Sequence, residues 1–597
     1  MEGTHDDYYF IAEIGNNHNG DIEVAKTLID LAVKSGVHCV KFQMRDMETL
    51  YRKSECDEED LGVEYTKDLL GKFNLTAEQH RLLKNYADSK KIDYLCTPWD
   101  MKSVEILEEF NVPAYKVASA DFTNLPLLDA IKNTGKPLIL STGMTSAQDF
   151  QKVMEYLHSS QSQIALLHCN STYPAPFDDI NLRQLENLKK YCSITGYSGH
   201  ERGIAITLAA YSMGARIIER HVTLDRSMEG PDHAASLEPK ELIDLIKGLD
   251  EIKAGLGNFG KRLVSQGEMI NRENLSKSLV STRDISKGET ISEADITVVS
   301  PGRGLSPLNY SQLVGKIAKR DIPVGAFYED VDIQDLDFKL KADYQISGNW
   351  GIPVRYHDYL HFSSLLNAKM WEFHLSYKDL ALDASKFPFR RSNAELVVHA
   401  PELFEDSHLL DLTSPDLEYC SISIKHMERV IEQTKILGEY FHVDRPIKIV
   451  TNVGGFSMDA PLSENERLQR YETLSESLHQ LQNSAVEIIP QTMAPFPWHF
   501  GGQRFQNIFL DASEILEWCG SLGLRICLDT SHSKLFCNYS QIDFSSFVEK
   551  LLPITAHIHL GDAKGTNGEG LQIGDGDIDF EELFSLIREE NFSSSIL

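Results

Sequence analysis

From Phe10 to about Gly257 the chain alternates short apolar runs with longer stretches whose apolar residues recur every three or four positions. The runs YYFIAEIG, HCVKFQ, IDYLCTP, AYKVAS, PLILSTGM, IALLHCNS, ITGYSGH and RIIERHVT read as strands, most of them ending in polar residues. DIEVAKTLIDLAVKSG, AEQHRLLKNYADSK and SAQDFQKVMEYLHSS between them have helical spacing. Eight strand-then-helix units over about 250 residues predict an α/β barrel of the (β/α)8 type across residues 8–265. In that architecture the chemistry lies at the C-terminal ends of the strands.

After Asn274 the texture changes to short segments and turns. RDISKGETISEADI and RDIPVGAFYEDVDI share an Arg-Asp-Ile opening, a central glycine and an acidic stretch ending in Ile, which predicts a pseudo-symmetric domain over residues 274–335. So small a domain buries little apolar surface, so it should pack on a barrel or a neighbouring subunit. From 343 to 597 a second alternation, MWEFHLS, ELVVHAPE, PIKIVTNVGG, AVEIIPQ, RICLDTSH and AHIHLGD, predicts a second (β/α)8 barrel. The closing SSSIL reads as the entry to a last strand, so this barrel is expected to be truncated at its C-terminus.

Composition narrows the function classes. With 42% hydrophobic and 25% charged residues the chain is globular throughout. Its net charge of −31 argues against nucleic acid or anionic membrane as a partner. The sequence offers no apolar run of the roughly 18 residues a membrane span needs. Nine cysteines without a C-x-x-C pair, and an acidic N-terminus, point to the reducing cytoplasm.

Candidate chemistry collects at the predicted strand ends of the first barrel. His200 and His221 close consecutive strands, where two neutral imidazoles suit a divalent transition metal. Lys41 and Lys116 end apolar strands, and a lysine inside a barrel calls for an anionic ligand. Thr97, Ser119, Ser141, Thr142, Ser171 and Ser198 surround them with hydroxyls suited to phosphate oxygens. Glu13, Asp121 and Asp232 are carboxylates in reach of the same mouth, Glu13 being the preferred acid or base. Glu219 is expected to point the other way, into a structural ion pair.

AEIGNNHNG, VKFQ, CTPW, YKVAS, LSTGM, LLHCNSTYP, GYSGHE and IERHVT, in that order, resemble the signature blocks of the sialic acid synthase family, and the small domain resembles that family's antifreeze-like (SAF) domain. The resemblance covers about 325 residues. It implies condensation of phosphoenolpyruvate with an N-acetylmannosamine-type amino sugar and water to a nine-carbon 2-keto acid and phosphate. It implies a divalent metal, manganese before magnesium or cobalt, on His200 and His221. Lys41, Gln43, Thr97, Lys116, Ser119, Ser141, Ser171, Ser198 and Tyr173 would bind phosphoenolpyruvate or line its pocket, Glu13 and Asp121 would move protons, and Asp232 would meet sugar hydroxyls. A domain-swapped homodimer is implied as well. Asp121 stands where family members carry glutamate, and Ser300 where they carry an arginine, the nearest here being Arg303. Legionaminic- and pseudaminic-type precursors therefore stay open as acceptors. Another pyruvate-dependent aldol reaction and a non-catalytic sugar-binding protein are the alternative readings.

VVHAPE, VEIIPQ, LDTSH and HIHLGD resemble the xylose-isomerase-like barrels, among them sugar epimerases. That resemblance implies a second divalent metal held by Glu487, Asp529 and His559, with His532 nearby and a fourth ligand beyond Leu597. A barrel kept only as a scaffold is the alternative.

Overall fold

The computed structural model describes residues 7–50, 70–157, 163–257, 260–262, 264–334, 348–382, 392–441, 445–499, 502–590, 592 and 594–597. The chain divides into two compact units, Met1–Gly260 and Lys261–Leu597. The domain limits expected at 335 and 343 lie outside the described residues.

In the first unit, β1 (Tyr9–Gly15), β2 (Cys39–Met44), β3 (Asp93–Pro98), β4 (Tyr115–Val117), β5 (Leu138–Ser141), β6 (Ile164–Cys169), β7 (Ile194–Gly199) and β8 (Ile217–His221) form a parallel sheet in the order β3-β2-β1-β8-β7-β6-β5-β4. β3 and β4 lie side by side, so the sheet curls into a nearly closed barrel. The helices start where the sequence supplies caps: Asp21 accepts the backbone N–H of Glu23 at 2.7 Å, and Thr76 and Gln79 form a reciprocal capping box. Leu28, Ile29 and Ala32 of the helix Ile22–Lys34 are buried among the outward strand residues Phe10, Phe42 and Ile218.

Strand residues alternate between two environments. Ile11, Cys39, Leu95, Ile139, Ala165, Leu167 and Ile217 fill the barrel interior with an apolar plug. Two positions further along each strand, the same parity places Glu13, Lys41, Thr97, Ser141, Cys169 and Glu219 inside the barrel. A polar layer therefore caps the plug at the C-terminal ends.

In the second unit the small domain has its own core of Leu279, Ile285, Ile291, Leu313, Ile322 and Tyr328. Its two halves carry the same clasp. Arg283 Nε donates to Asp295 Oδ1 at 2.7 Å, and Arg320 Nη2 to Asp332 Oδ2 at 2.9 Å. Ile285 and Ile322 pair across the pseudo-dyad.

The second barrel's strands are, in chain order, Asn349–Val354, Met370–His374, Glu395–His399, Ile447–Thr451, Val486–Pro490, Ile526–Asp529, Thr555–His559 and Ser595–Ile596. The last lies between the first and the seventh, and a bridge from Gln491 to Cys527 joins the fifth to the sixth. Met370, Val397, Val450, Ile489, Cys527 and Ala556 plug the interior. The fold is thus two eight-stranded α/β barrels with an antifreeze-like domain between them in sequence. Among the described residues no helix is long and apolar enough to cross a membrane.

Candidate active site

The polar layer of the first barrel lines a cavity of about 200 Å³. Glu13, Lys41, Gln43, Thr97, Lys116, Ser119, Ser141, Ser171, Tyr173, Ser198, His200, Glu219 and His221 are on its wall. Register explains the pairing: Glu13 stands opposite both Lys41 and His221 across its two ladders. Lys41 Nζ lies 2.5 Å from Glu13 Oε2 and donates to Thr97 Oγ1 at 3.1 Å. Lys116 Nζ donates to Ser141 Oγ at 2.6 Å.

Glu219 corrects the sequence expectation. Its parity with Ile217 and His221 turns it inward, where it lies 3.6 Å from Lys116 Nζ and 3.8 Å from Lys41 Nζ and accepts from Ser198 Oγ at 3.0 Å. The lysines' charge is therefore met by carboxylates of the protein itself. Burial would raise the Glu219 carboxyl, but Lys116 and Lys41 outweigh it and hold it below its ordinary value. Burial raises Glu13 in spite of Lys41, so the two carboxylates are pushed apart.

The imidazole pair fits a divalent metal. His200 Nδ1 donates to the Asn170 carbonyl at 2.6 Å, which leaves the Nε2 lone pair available. His221 Nδ1 is buried without a hydrogen-bond partner, and burial lowers its pKa to about 3, keeping the ring neutral. The ring centroids are 5.3 Å apart, and the Tyr173 ring lies 4.0 Å from that of His200, tilted by 35°.

Asp121 and Asp232 stand beside the cavity instead of on its wall. Asp121 accepts from Asn124 Nδ2 at 2.9 Å, and burial raises its carboxyl. Asp232 Oδ2 is 3.8 Å from His221 Nδ1 and accepts from Asn16 Nδ2 at 3.2 Å. Thr142 spends its hydroxyl on the Leu167 carbonyl. Arg303 belongs to the other unit, where it is exposed and pairs with Glu273 at 3.1 Å.

Arg45, Asn16, Gly15 and Gly143, not singled out as site residues from the sequence, complete the site. Arg45 Nη1 donates to Asn16 Oδ1 at 3.2 Å and Nη2 to Gln43 Oε1, and Gln43 Nε2 donates to Glu13 Oε1 at 2.6 Å. Gly143 is needed for space, because a Cβ there would lie 2.7 Å from Ser119 Oγ and closer still to Ser171 Oγ. Gly15, at φ 52°, lets the chain turn between Glu13, Gln43 and Asp232.

The second barrel's mouth departs from its expected ligand set. Glu487 lies near the start of its strand, at the opposite end of the barrel, in a two-pronged ion pair with Arg525. Gln491, four residues on and of the same parity, takes the mouth position and bonds His399 at 3.2 Å and His532 at 3.0 Å. His532 is held between Asp529 and Glu569, whose charges outweigh burial and raise it to about 10. Asp529 and His559 do meet, at 3.6 Å. The carboxylate at the centre is Glu372, on the second strand, with His374, His557 and His559 around it.

Residues 28–261 match the family model described as the NeuB family, 276–327 the SAF domain and 362–597 the xylose isomerase-like TIM barrel. An N,N'-diacetyllegionaminic acid synthase of Campylobacter jejuni is 39% identical over 320 residues, which span 96% of that protein and 52% of this chain. The chain belongs to the NeuB family. As a NeuB-family member it is an enzyme of the synthase type, a transferase. The human N-acetylneuraminate-9-phosphate synthase is 36% identical to this NeuB-family chain, over 88% of its own length and 52% of the chain. A crystal structure of an N-acetylneuraminic acid synthetase from Leptospira borgpetersenii is 33% identical and covers 45% of the chain and 93% of its own, with a TM-score of 0.41.

Proposed function

We propose that the first barrel condenses phosphoenolpyruvate with an N-acetylated amino sugar of the N-acetylmannosamine type, forming a nonulosonic acid and phosphate. The observation that carries this reading is the shared wall of one cavity. Lys41 and Lys116, with the hydroxyls of Thr97, Ser119, Ser141, Ser171 and Ser198, line it together with the imidazoles of His200 and His221. The relatives' names, legionaminic, pseudaminic and N-acetylneuraminate-9-phosphate synthase, support the product class.

In this reading the lysines and hydroxyls hold the phosphate and carboxylate of phosphoenolpyruvate, and Glu219 keeps both lysines charged before it arrives. A divalent ion on His200 and His221, with manganese the first choice, would polarise the sugar aldehyde. The enol carbon of phosphoenolpyruvate then attacks that aldehyde carbon. Water adds at the neighbouring carbon, and the C–O bond to phosphate breaks. Glu13, raised by burial, gives a proton to the new hydroxyl, and Asp121 stands ready to take one from the attacking water. Asp232 would accept from sugar hydroxyls. The synthase barrel is read as residues 8–265, the antifreeze-like domain as 274–335 and the second barrel as 343–597. Arg303 is read as reaching a neighbouring subunit's site in a domain-swapped homodimer, supported by the SAF match and by Leu308 standing 88% exposed in the same loop region. A cytoplasmic location is supported by the free thiols of the described residues.

Phosphate release measured with phosphoenolpyruvate against N-acetylmannosamine and 6-deoxy diacetamido sugars, with and without manganese, tests the reading. Release should require a sugar and the metal, and vanish in His200→Ala. Condensation of pyruvate itself with the sugar, with borohydride trapping at Lys41 or Lys116, would instead support an aldolase.

For the second barrel we propose a sugar isomerase or epimerase that supplies or modifies the acceptor, supported by the xylose isomerase-like match over 362–597 and by the imidazole and carboxylate groups at its mouth. Interconversion of N-acetylated hexosamines by the full chain is the assay. No turnover of any such sugar would favour the scaffold alternative.

A further inference from the structure

A cavity of about 220 Å³ lies among the outer elements of the second barrel. The first turns of the helices Glu464–Gln480 and Ala512–Leu522, the helix Thr530–Ser540 and the segment after the fifth strand enclose it. Its wall shares no residue with the mouth cluster of Glu372, Gln491, His532 and His559. It is therefore a separate place in the fold.

Three aromatic rings shape this cavity. Phe496 stands nearly perpendicular to Phe505, at 77° and 5.7 Å, and to Tyr539, at 84° and 4.9 Å. T-shaped contacts of this kind hold the rings in place as a rigid apolar surface. Tyr539 is 50% exposed and marks the rim. The volume falls below the roughly 300–1,000 Å³ of pockets for drug-sized ligands, which suits a single ring.

The polar groups on the same wall narrow the ligand further. Gln506 is buried, and its Nε2 donates to the Gly454 carbonyl at 2.8 Å and the Ile508 carbonyl at 3.1 Å. Two carbonyls decide which end of the amide carries the nitrogen, so the oxygen points elsewhere. That Oε1 is buried and accepts no hydrogen bond. A buried acceptor without a donor is costly, and a ligand hydroxyl or N–H would satisfy it. Arg467 and Glu514 form an ion pair on the wall, Nε to Oε1 at 3.1 Å, both side chains partly exposed. The pair sets a strong donor beside a strong acceptor with no net charge. A charged ligand would be drawn to one and repelled by the other, whereas neighbouring hydroxyls, each donor and acceptor at once, engage both.

We propose that this cavity binds one neutral sugar ring. Its C–H face lies against Phe496, Phe505 and Tyr539, its hydroxyls bridge Arg467 and Glu514, and one of them donates to Gln506 Oε1. No catalytic group is assigned to it, and the site stands whether or not the second barrel is an isomerase.

Tyr539→Trp places a fluorescent ring on the wall, and the full chain carrying it is titrated with N-acetylmannosamine, N-acetylglucosamine, N-acetylneuraminate and cytidine. Its emission should respond saturably to the two neutral sugars beyond any change in the parent chain. Adding Arg467→Met or Glu514→Gln should weaken that response at least tenfold, the worth of a charge-assisted hydrogen bond, with phosphate release by the first barrel unchanged. Phe505→Trp is the second reporter should the indole at the rim block entry, and Glu514→Gln decides the matter should Arg467→Met fail to fold. No saturable response from either reporter overturns the assignment, as does a response that survives both wall variants. Cytidine binding in place of the sugars would overturn the sugar class, and anionic N-acetylneuraminate binding as tightly as the neutral sugars would overturn the part given to the ion pair.

Discussion

Glu219 shows how much a single strand position decides. Its neighbour Arg220 turns outward into a buried bond with Glu201 at 2.9 Å, while Glu219 turns inward to both lysines. Removing one partner from such a network leaves charge buried without compensation, at a cost of about 3–5 kcal/mol. Glu219→Gln is expected to lower the first barrel's unfolding free energy by that much in urea titrations and to abolish phosphate release. Full stability would mean that the lysines need no internal counter-charge. Arg45 is the other decisive residue, because a guanidinium only donates. It therefore turns the Gln43 and Asn16 oxygens toward itself and their N–H groups toward Glu13 and Asp232. Lysine cannot span both amides. Arg45→Lys should raise the sugar KM about tenfold, the worth of one charge-assisted hydrogen bond, while the phosphoenolpyruvate KM stays nearly constant. Equal changes in both would count against this role.

Among the elements, the eight strands of the first barrel were readable because each is an apolar run with a polar end, and the cavity sits where those ends meet. The second barrel's first strand was missed because NWGIPV is broken by Gly and Pro, whereas the last was legible in the closing SSSIL, where Ser595–Ile596 form the strand. The site residues divide the same way. His200, His221 and the lysines announce themselves by type at a strand end. Glu219 could have been placed by its parity with Ile217, whereas Arg45 and Asn16 belong to loops whose course only the packed chain reveals. Glu487 was misread because a carboxylate drew attention from Gln491, which holds the mouth position. Glu372 had a usable signal, a charge inside MWEFH, two residues before His374 on the same face. The antifreeze-like domain gives a test at this scale. Hydrogen bonds from Arg283 and from the Ser292 cap hold the Asp295 carboxyl at about 2. An unfolded aspartate titrates near 3.9, so its stabilisation is complete above that value and disappears as the pH falls through about 2. Protection of Ser278–Ser281 from hydrogen exchange should fall across that window, and Arg283→Met should shift the loss to higher pH. A variant curve that superimposes on the parent would remove Arg283 from the account.

At the scale of the whole molecule, the two barrels are built around hydrophobic cores that share no residue. Met427, fully buried in the second, is a clean probe. Truncation of such a side chain costs about 2–5 kcal/mol, and each kcal/mol shifts the melting temperature of a domain this size by about 2–4 °C. Calorimetry of the full chain should show at least two transitions, with Met427→Ala lowering only one of them, by about 4 °C or more. A single transition that moves as a whole would show the barrels melting together. Between the barrels in sequence, the domain with the twin Arg–Asp clasps has its own lesson. Each clasp ties a segment of equal length with the same two side chains, so the domain is one short instruction executed twice. What is written twice can be reordered: a version in which the second half precedes the first, with the old termini joined, keeps both clasps and should still fold.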